Sequence, residues 1–183
     1  MGRAPRTAHL ATVSVAVVPY DPAWPTRFDQ ERRILERVLA PWLDGGIHHI
    51  GSTSIAGLAA KPIIDMMAGV RDLEEARAAS AVLLHEGYVH APHRAEIAHH
   101  FDKRDGEVTT HGVHLTKPRS ELWRERLAFR DALRRDEALA REYEALKLAL
   151  ADQHNAGLVE YTAGKRAFVA RVLEAEGIEL RRV

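Results

Sequence analysis

The sequence predicts an α+β fold: a mixed β-sheet with flanking helices and a helical C-terminal part from about residue 119. Two observations carry the fold class. Short apolar runs bounded by glycine, proline and aspartate read as strands, and they are mixed with helical segments through the first two-thirds of the chain. From Arg119 onward the apolar spacing becomes helical: Leu139, Tyr143, Leu146 and Leu150 fall on one helix face. Strands mixed with helices and then a helical tail is the α+β pattern. No repeat, low-complexity stretch or linker interrupts the 183 residues, so they read as one domain.

In chain order, "SVAVVPY" reads as a strand and "YDPAWP" as an irregular connection. "TRFDQERRILERVLAPWL" is helical, with Thr26 as its expected N-cap, and "DGG" ends it. "GIHHIG" and "KPIIDMMAGV" are strands, the second with Pro62 at its start, where a missing N–H is tolerated. "DLEEARAASAVLLHEG" is a helix capped by Asp72. "YVHAP", "EIAHHFDKR" and "EVTTHGVHLTKP" are strands, the last two joined by a turn at Asp105-Gly106. "EYTAGKRAFVARVLEAEG" is expected as one last helix.

Composition narrows the function classes. Twenty-six basic and 26 acidic residues cancel, which gives no electrostatic reason for a nucleic-acid or membrane partner. The arginines of "WRERLAFRDALRRDEALARE" alternate with acids and read as a solvated helix face. No run approaches the roughly 18 apolar residues of a membrane span. There is no cysteine, hence no disulfide and no thiolate metal site, and a reducing cytoplasm is the expected location. The N-terminal "MGRAPRTAHLATVSVAVV" makes a poor signal peptide, because His9, Thr12 and Ser14 interrupt its apolar run.

The stretch "HHIGSTSIAGLAAKPIID" holds the chemistry. Gly51 permits a backbone conformation closed to other residues, and Ser52, Thr53 and Ser54 supply hydroxyls and amides. A helix starting at Ser54 or Ile55 would add the positive end of its dipole, a setting suited to phosphate. Asp65 stands among Ile63, Ile64, Met66 and Met67. A carboxylate in an apolar strand is costly unless it is paired or binds a metal.

A Gly-Ser turn, a spacer and an acid on the next strand resemble the nucleotidyltransferase superfold. More closely, "VVPYDPAWPTRF", the stretch above, "THGVHL" and "YTAGKRAFV" resemble the GrpB family of nucleotidyltransferase-like proteins, over roughly Val15 to Glu176. The resemblance implies a nucleoside triphosphate or another small phosphorylated ligand at Gly51, Ser52 and Thr53, and Mg²⁺ or Mn²⁺ on Asp65. It implies nucleotidyl transfer to an acceptor. The superfold's active members usually carry D-x-D on that strand, and here the second position is Met67, a poor Mg²⁺ ligand. At most one carboxylate-held ion and slow or absent transfer are therefore expected. Asp102, Asp105 and Glu107 are the candidates for an acid supplied from another strand. A similar domain occurs fused to dephospho-CoA kinase in some bacteria, which makes a non-catalytic, chaperone-like module with a protein partner the alternative. No kinase P-loop is present in this chain.

His114 holds the family-like position in "THGVHL", with Gly112 where a preceding histidine is expected. It is expected near Asp65 as ligand, proton carrier or phosphate contact. Adjacent strand residues face opposite ways, so one of His48/His49 and one of His99/His100 at most reaches the site. A zinc site of histidines and Asp65 is the rarer reading. Lys61 precedes the second strand near the turn. Lys165, four residues after Tyr161, interrupts an apolar helix face, as a snorkelling stem or as an ammonium reaching phosphate.

Overall fold

The computed structural model describes residues 16–91, 97–153 and 158–179. Five strands form one sheet: β1 (Leu43–Ile50), β2 (Ile64–Val70), β3 (Tyr88–His90), β4 (His99–Asp105) and β5 (Val108–Thr116). Their order is β1-β2-β5-β4-β3. β2 and β5 run parallel, and every other neighbouring pair is antiparallel. The helices are α1 (Trp24–Leu39), α2 (Ala79–His85), α3 (Glu121–Arg135), α4 (Glu137–Gln153), α5 (Leu158–Gly164) and α6 (Arg166–Ala175).

Side-chain alternation divides the sheet into two unlike faces. On one, Ile64, Met66, Ala68 and Val70 of β2 join Val113 and Leu115 of β5 and Phe101 of β4. They pack against Trp24, Leu35 and Leu39 of α1 and Ala79 and Leu83 of α2. Trp24, Phe28, Glu31, Leu35 and Leu39 recur at three- and four-residue steps, which lays them along one stripe of α1. Asp65, Met67, Gly112, His114, His100 and Asp102 face the other way. There Met67 packs with Ile50 of β1 and Trp123 of α3. A third cluster ties Ile55 and Leu58, just after the Gly-Ser turn, to Leu133 of α3, Tyr143 of α4 and Phe168 and Val172 of α6. The C-terminal helices thus hold the loop between β1 and β2.

Several boundaries differ from expectation, each for a local reason. The strand expected at "SVAVVPY" begins in residues outside those described, and Val18 makes only an isolated bridge to Ala60. Thr26 does not cap α1. The helix starts two residues earlier with a proline in its first turn, and Asp21 accepts from the Ala23 amide at 2.8 Å. "DGG" lies inside β1, where an irregular register between Leu43 and Ile47 accommodates it. The segment capped by Asp72 opens as a 3-10 turn, Glu75–Ala78, before α2. The last helix is broken in two, with Lys165 at the junction of α5 and α6. Gly164 lies there against Leu150, whose Cδ2 would be 2.5 Å from any Cβ.

Lys103 belongs to the α1 face, away from the Gly-Ser turn. Its ammonium lies 2.8 Å from the buried Glu31, which also accepts from the Tyr88 hydroxyl at 3.1 Å. Removing one member of a buried pair strands the other charge, whereas removing both charges does not. Lys103 is partly exposed, which discounts the effect. Lys103→Met should cost about 2 kcal/mol in urea unfolding. The double variant Glu31→Gln/Lys103→Met should recover most of that, because the carboxamide oxygen introduced there can still accept from Tyr88.

Candidate functional site

A cavity of about 560 Å³ opens on the second face of the sheet. It is lined by Ser52 and Thr53 of the turn, Lys61, Ile63 and Asp65 leading into β2, and His100 and Asp102 of β4. Ala91 follows β3, and Tyr161, Thr162 and Lys165 close the cavity from the α5–α6 junction.

The turn is built by contacts that fix its backbone. Gly51 has φ +68°, and a Cβ there would lie 2.6 Å from Asp65 Oδ2, so only glycine lets the turn approach the acid. Ser54 Oγ donates to the Gly51 carbonyl at 2.6 Å. Thr53 Oγ1 donates to the Ile63 carbonyl at 2.9 Å. With that hydrogen committed, the 3.0 Å contact from His49 Nε2 makes His49 the donor and fixes its tautomer. Burial, with Arg134 and Arg130 nearby, pulls the His49 pKa down to about 4. Its ring stacks on Phe28 on the α1 side. Ser52, Thr53 and Ser54 form a single 3-10 turn rather than the start of an α-helix. A one-turn segment sums too few peptide dipoles to give the charge expected at a helix N-terminus.

The C-terminal helices grip the same segment through its main chain. Arg134 of α3 donates twice to the Ser54 carbonyl, at 2.9 and 3.1 Å, and Arg130 to that of His49 at 3.2 Å. Tyr143 of α4 hydrogen-bonds to Ser52, and burial pushes its pKa up to about 12. Next to it, Glu144 accepts from the Ala59 amide at 2.6 Å, while the buried Lys147, one turn further on, donates to the Ala59 carbonyl. Ala60 pairs with Val18 on its other side. Lys61 follows directly, so its position is set by both contacts.

Asp65 makes no hydrogen bond or close ion pair among the described residues. Burial pushes its carboxyl up to about 6, against the pull of Arg126, Lys165 and Lys61, and Asp102 adds to the rise. Gly112 lies between the two acids: Asp65 and Asp102 are both its register partners. A Cβ at Gly112 would stand 3.2 Å from Asp65 Oδ1 and 3.3 Å from His100 Nε2. His100 is 3.4 Å from Asp102 Oδ1, and its ring stacks on His114 at 4.2 Å. Across the cavity, the Lys165 ammonium lies over the Tyr161 ring at 4.3 Å, and burial draws its pKa down to about 8.

The structure therefore gathers Ser52, Thr53, Lys61, Asp65 and Lys165 around one cavity, with Gly51 pressed against the acid. His114, expected near Asp65, shares its face of the sheet and stacks on His100, whose imidazole is the one on the cavity wall. Thr53 reaches the wall, but its hydroxyl is committed to the fold. His48 lies edge-on to Trp123, outside the cavity wall. Of the three acids weighed for a second strand, Asp102 lines the cavity, while Asp105 and Glu107 are exposed at the β4–β5 hairpin. Strand alternation from Asp102 already places His100 on the same face. Nothing in the sequence marks Arg126, whose helix reads as solvated.

Among the described residues, the carboxylates on the cavity wall are Asp65 and Asp102, and Asp102 already has His100 at 3.4 Å. Met67 occupies the second-acid position and is buried against Ile50 and Trp123, outside the cavity wall. Among the described residues, no group of three histidine or acidic side chains is arranged to hold a metal ion, which applies to zinc as well. Among the same residues, no helix is long and apolar enough to cross a membrane.

The fold has known counterparts. The solved structure of the conserved protein GrpB from Enterococcus faecalis superposes with a TM-score of 0.80 at 31% identity, covering 87% of this chain and 96% of that one. The GLD-2/RNP-8 complex gives a TM-score of 0.56 at 12% identity, over 82% of this chain and 60% of that one, a likeness of fold alone. These neighbours make the α+β fold nucleotidyltransferase-like. The UPF0157 protein YqkA of Bacillus subtilis is 35% identical over 155 residues, which is 85% of this chain but only 45% of that protein. Glutamate-rich protein GrpB of Alkalihalophilus pseudofirmus is 32% identical over 164 residues, 87% of this chain and 94% of that one. The family model described as GrpB protein matches residues 14–175. With its fold, its Gly-Ser turn and nearly its whole length accounted for in this way, the chain belongs to the GrpB family.

Proposed function

We propose that this chain binds a small phosphorylated ligand, a nucleoside triphosphate by class, in the cavity beside the Gly-Ser turn, and that nucleotidyl transfer from it is slow or absent. One observation carries the reading. Lys165, a hundred residues from Asp65 in sequence, lines one cavity with it and with Ser52 and Lys61. Two ammonium groups and a hydroxyl beside a fixed turn are donors of the kind that hold phosphate oxygens. A volume of about 560 Å³ is of the size that small-molecule ligands occupy. The weak transfer follows from Met67. A two-metal clamp neutralises both the attacking and the leaving oxygens in phosphoryl transfer; here β2 offers it one carboxylate, Asp65, and the acid on β4, Asp102, already has His100 beside it.

Calorimetry with nucleoside triphosphates, each with and without Mg²⁺ or Mn²⁺, tests the reading. Binding with no turnover is the expected result, weakened about tenfold by Ser52→Ala or Lys61→Met, the scale of one lost contact to a charged group. No binding under any condition sinks it and leaves a module that acts through a protein partner.

Two stability measurements follow from the same geometry. The Asp65 carboxyl titrates near 6 when folded and near 3.8 as an ordinary aspartate. As pH rises from 4 to 6 the unfolded chain loses this proton first, so the group's effect is to lower stability over that window. Asp65→Asn should therefore raise the unfolding free energy at pH 8 by about 2 kcal/mol, an advantage that fades toward pH 4. Met67→Asp places a carboxylate among Ile50 and Trp123. It should destabilise by about 3 kcal/mol or more without raising Mn²⁺ affinity.

A further inference from the structure

Resting on that reading, we infer that the site takes its phosphorylated ligand free of divalent metal, with Lys61, Lys165 and Arg126 supplying the positive charge that an ion would otherwise bring. Two cations from separate elements line the cavity with Asp65, Lys61 from the loop before β2 and Lys165 from the α5–α6 junction, and the exposed Arg126 of α3, outside the wall, adds its field at the acid. Against them stand two carboxylates, Asp65 and Asp102, of which Asp102 already has His100 beside it. Among the described residues the balance is one positive charge in excess. A site built to hold Mg²⁺ has the opposite balance, with hard anionic oxygens in the majority. An entering dication would meet three like charges here, whereas an unchelated diphosphate or triphosphate meets three unlike ones.

The positions of the cations are prepared. Lys165 stands at a helix break and is steadied over the Tyr161 ring. Lys61 follows the Ala59–Ala60 segment, which Glu144, Lys147 and Val18 hold. Both Lys61 and Lys165 line the cavity with Ser52. Burial lowers the Lys165 pKa, and a phosphate beside the ammonium would offset that desolvation. Asp65 then acts as a negative neighbour that the ligand must tolerate, and as a metal ligand in no step.

That last point gives opposite signs in one experiment. ATP and inorganic pyrophosphate are titrated calorimetrically into the full chain, once in EDTA and once in excess Mg²⁺. The expected result is binding in EDTA at least as tight as in Mg²⁺. Lys165→Met or Arg126→Met should weaken it about tenfold or more, and Asp65→Asn should strengthen it. Circular dichroism and thermal melts confirm that each variant is folded. Should Lys165→Met fail to fold, Lys165→Gln and Arg126→Gln serve instead. Pyrophosphate binding without metal while ATP does not bind would still support the charge assignment and narrow the ligand to a phosphate chain. Binding that appears only with Mg²⁺, or that Asp65→Asn abolishes, overturns the inference while leaving the phosphate-binding reading standing. No binding of either probe in either buffer overturns both.

Discussion

A desolvated carboxylate on the central strand is the constraint around which the rest of this molecule is arranged. Asp65 sits on β2 with no close partner among the described residues, and its surroundings accommodate it by leaving things out. Gly51 and Gly112 carry no side chain where one would press on its oxygens. The compensating cations approach from separate elements without forming a close ion pair. A core designed for stability alone would put an apolar residue here, as it does at Met67 two positions on.

The two faces of the sheet solve different problems. The α1 side is an ordinary apolar core with one buried ionic contact, Glu31 with Lys103. The opposite side is held by polar contacts to main-chain atoms. Arg130, Arg134, Glu144 and Lys147 all bind backbone groups of the segment that runs from β1 to β2. A loop held in this way keeps its shape while Ser52 and Lys61 face the cavity.

Much of this was legible in the sequence because it depends on local rules. The Gly-Ser turn, the acid in an apolar strand and the amphipathic face of α4 each follow from spacing, and strand alternation correctly separates His99 from His100. What escaped depends on long-range packing. At the break before Lys165, Gly164 approaches Leu150 closely, which no helical periodicity reveals. Arg126 looks like any other arginine on a charge-rich helix, and its part emerges only when α3 docks beside Asp65. Asp102 could be named but not placed, since its standing beside Asp65 requires knowing that β5 lies between β2 and β4. The part of His100 escaped for the same reason: only the pairing of β4 with β5 sets it beside His114 and on the wall.

That sheet order also bears on how the molecule comes together in time. β4 and β5 meet through a tight turn, so their pairing closes a short loop and can form early. The parallel contact of β2 with β5 is different: everything from Arg71 to Glu107 lies between the paired strands, and such contacts form slowly because a large loop must close before they reward it. Asp65 and Asp102 are brought onto one wall only by that pairing. The cavity is thus a late product of folding, and a chain halted before β2 docks would hold a formed hairpin and no binding site.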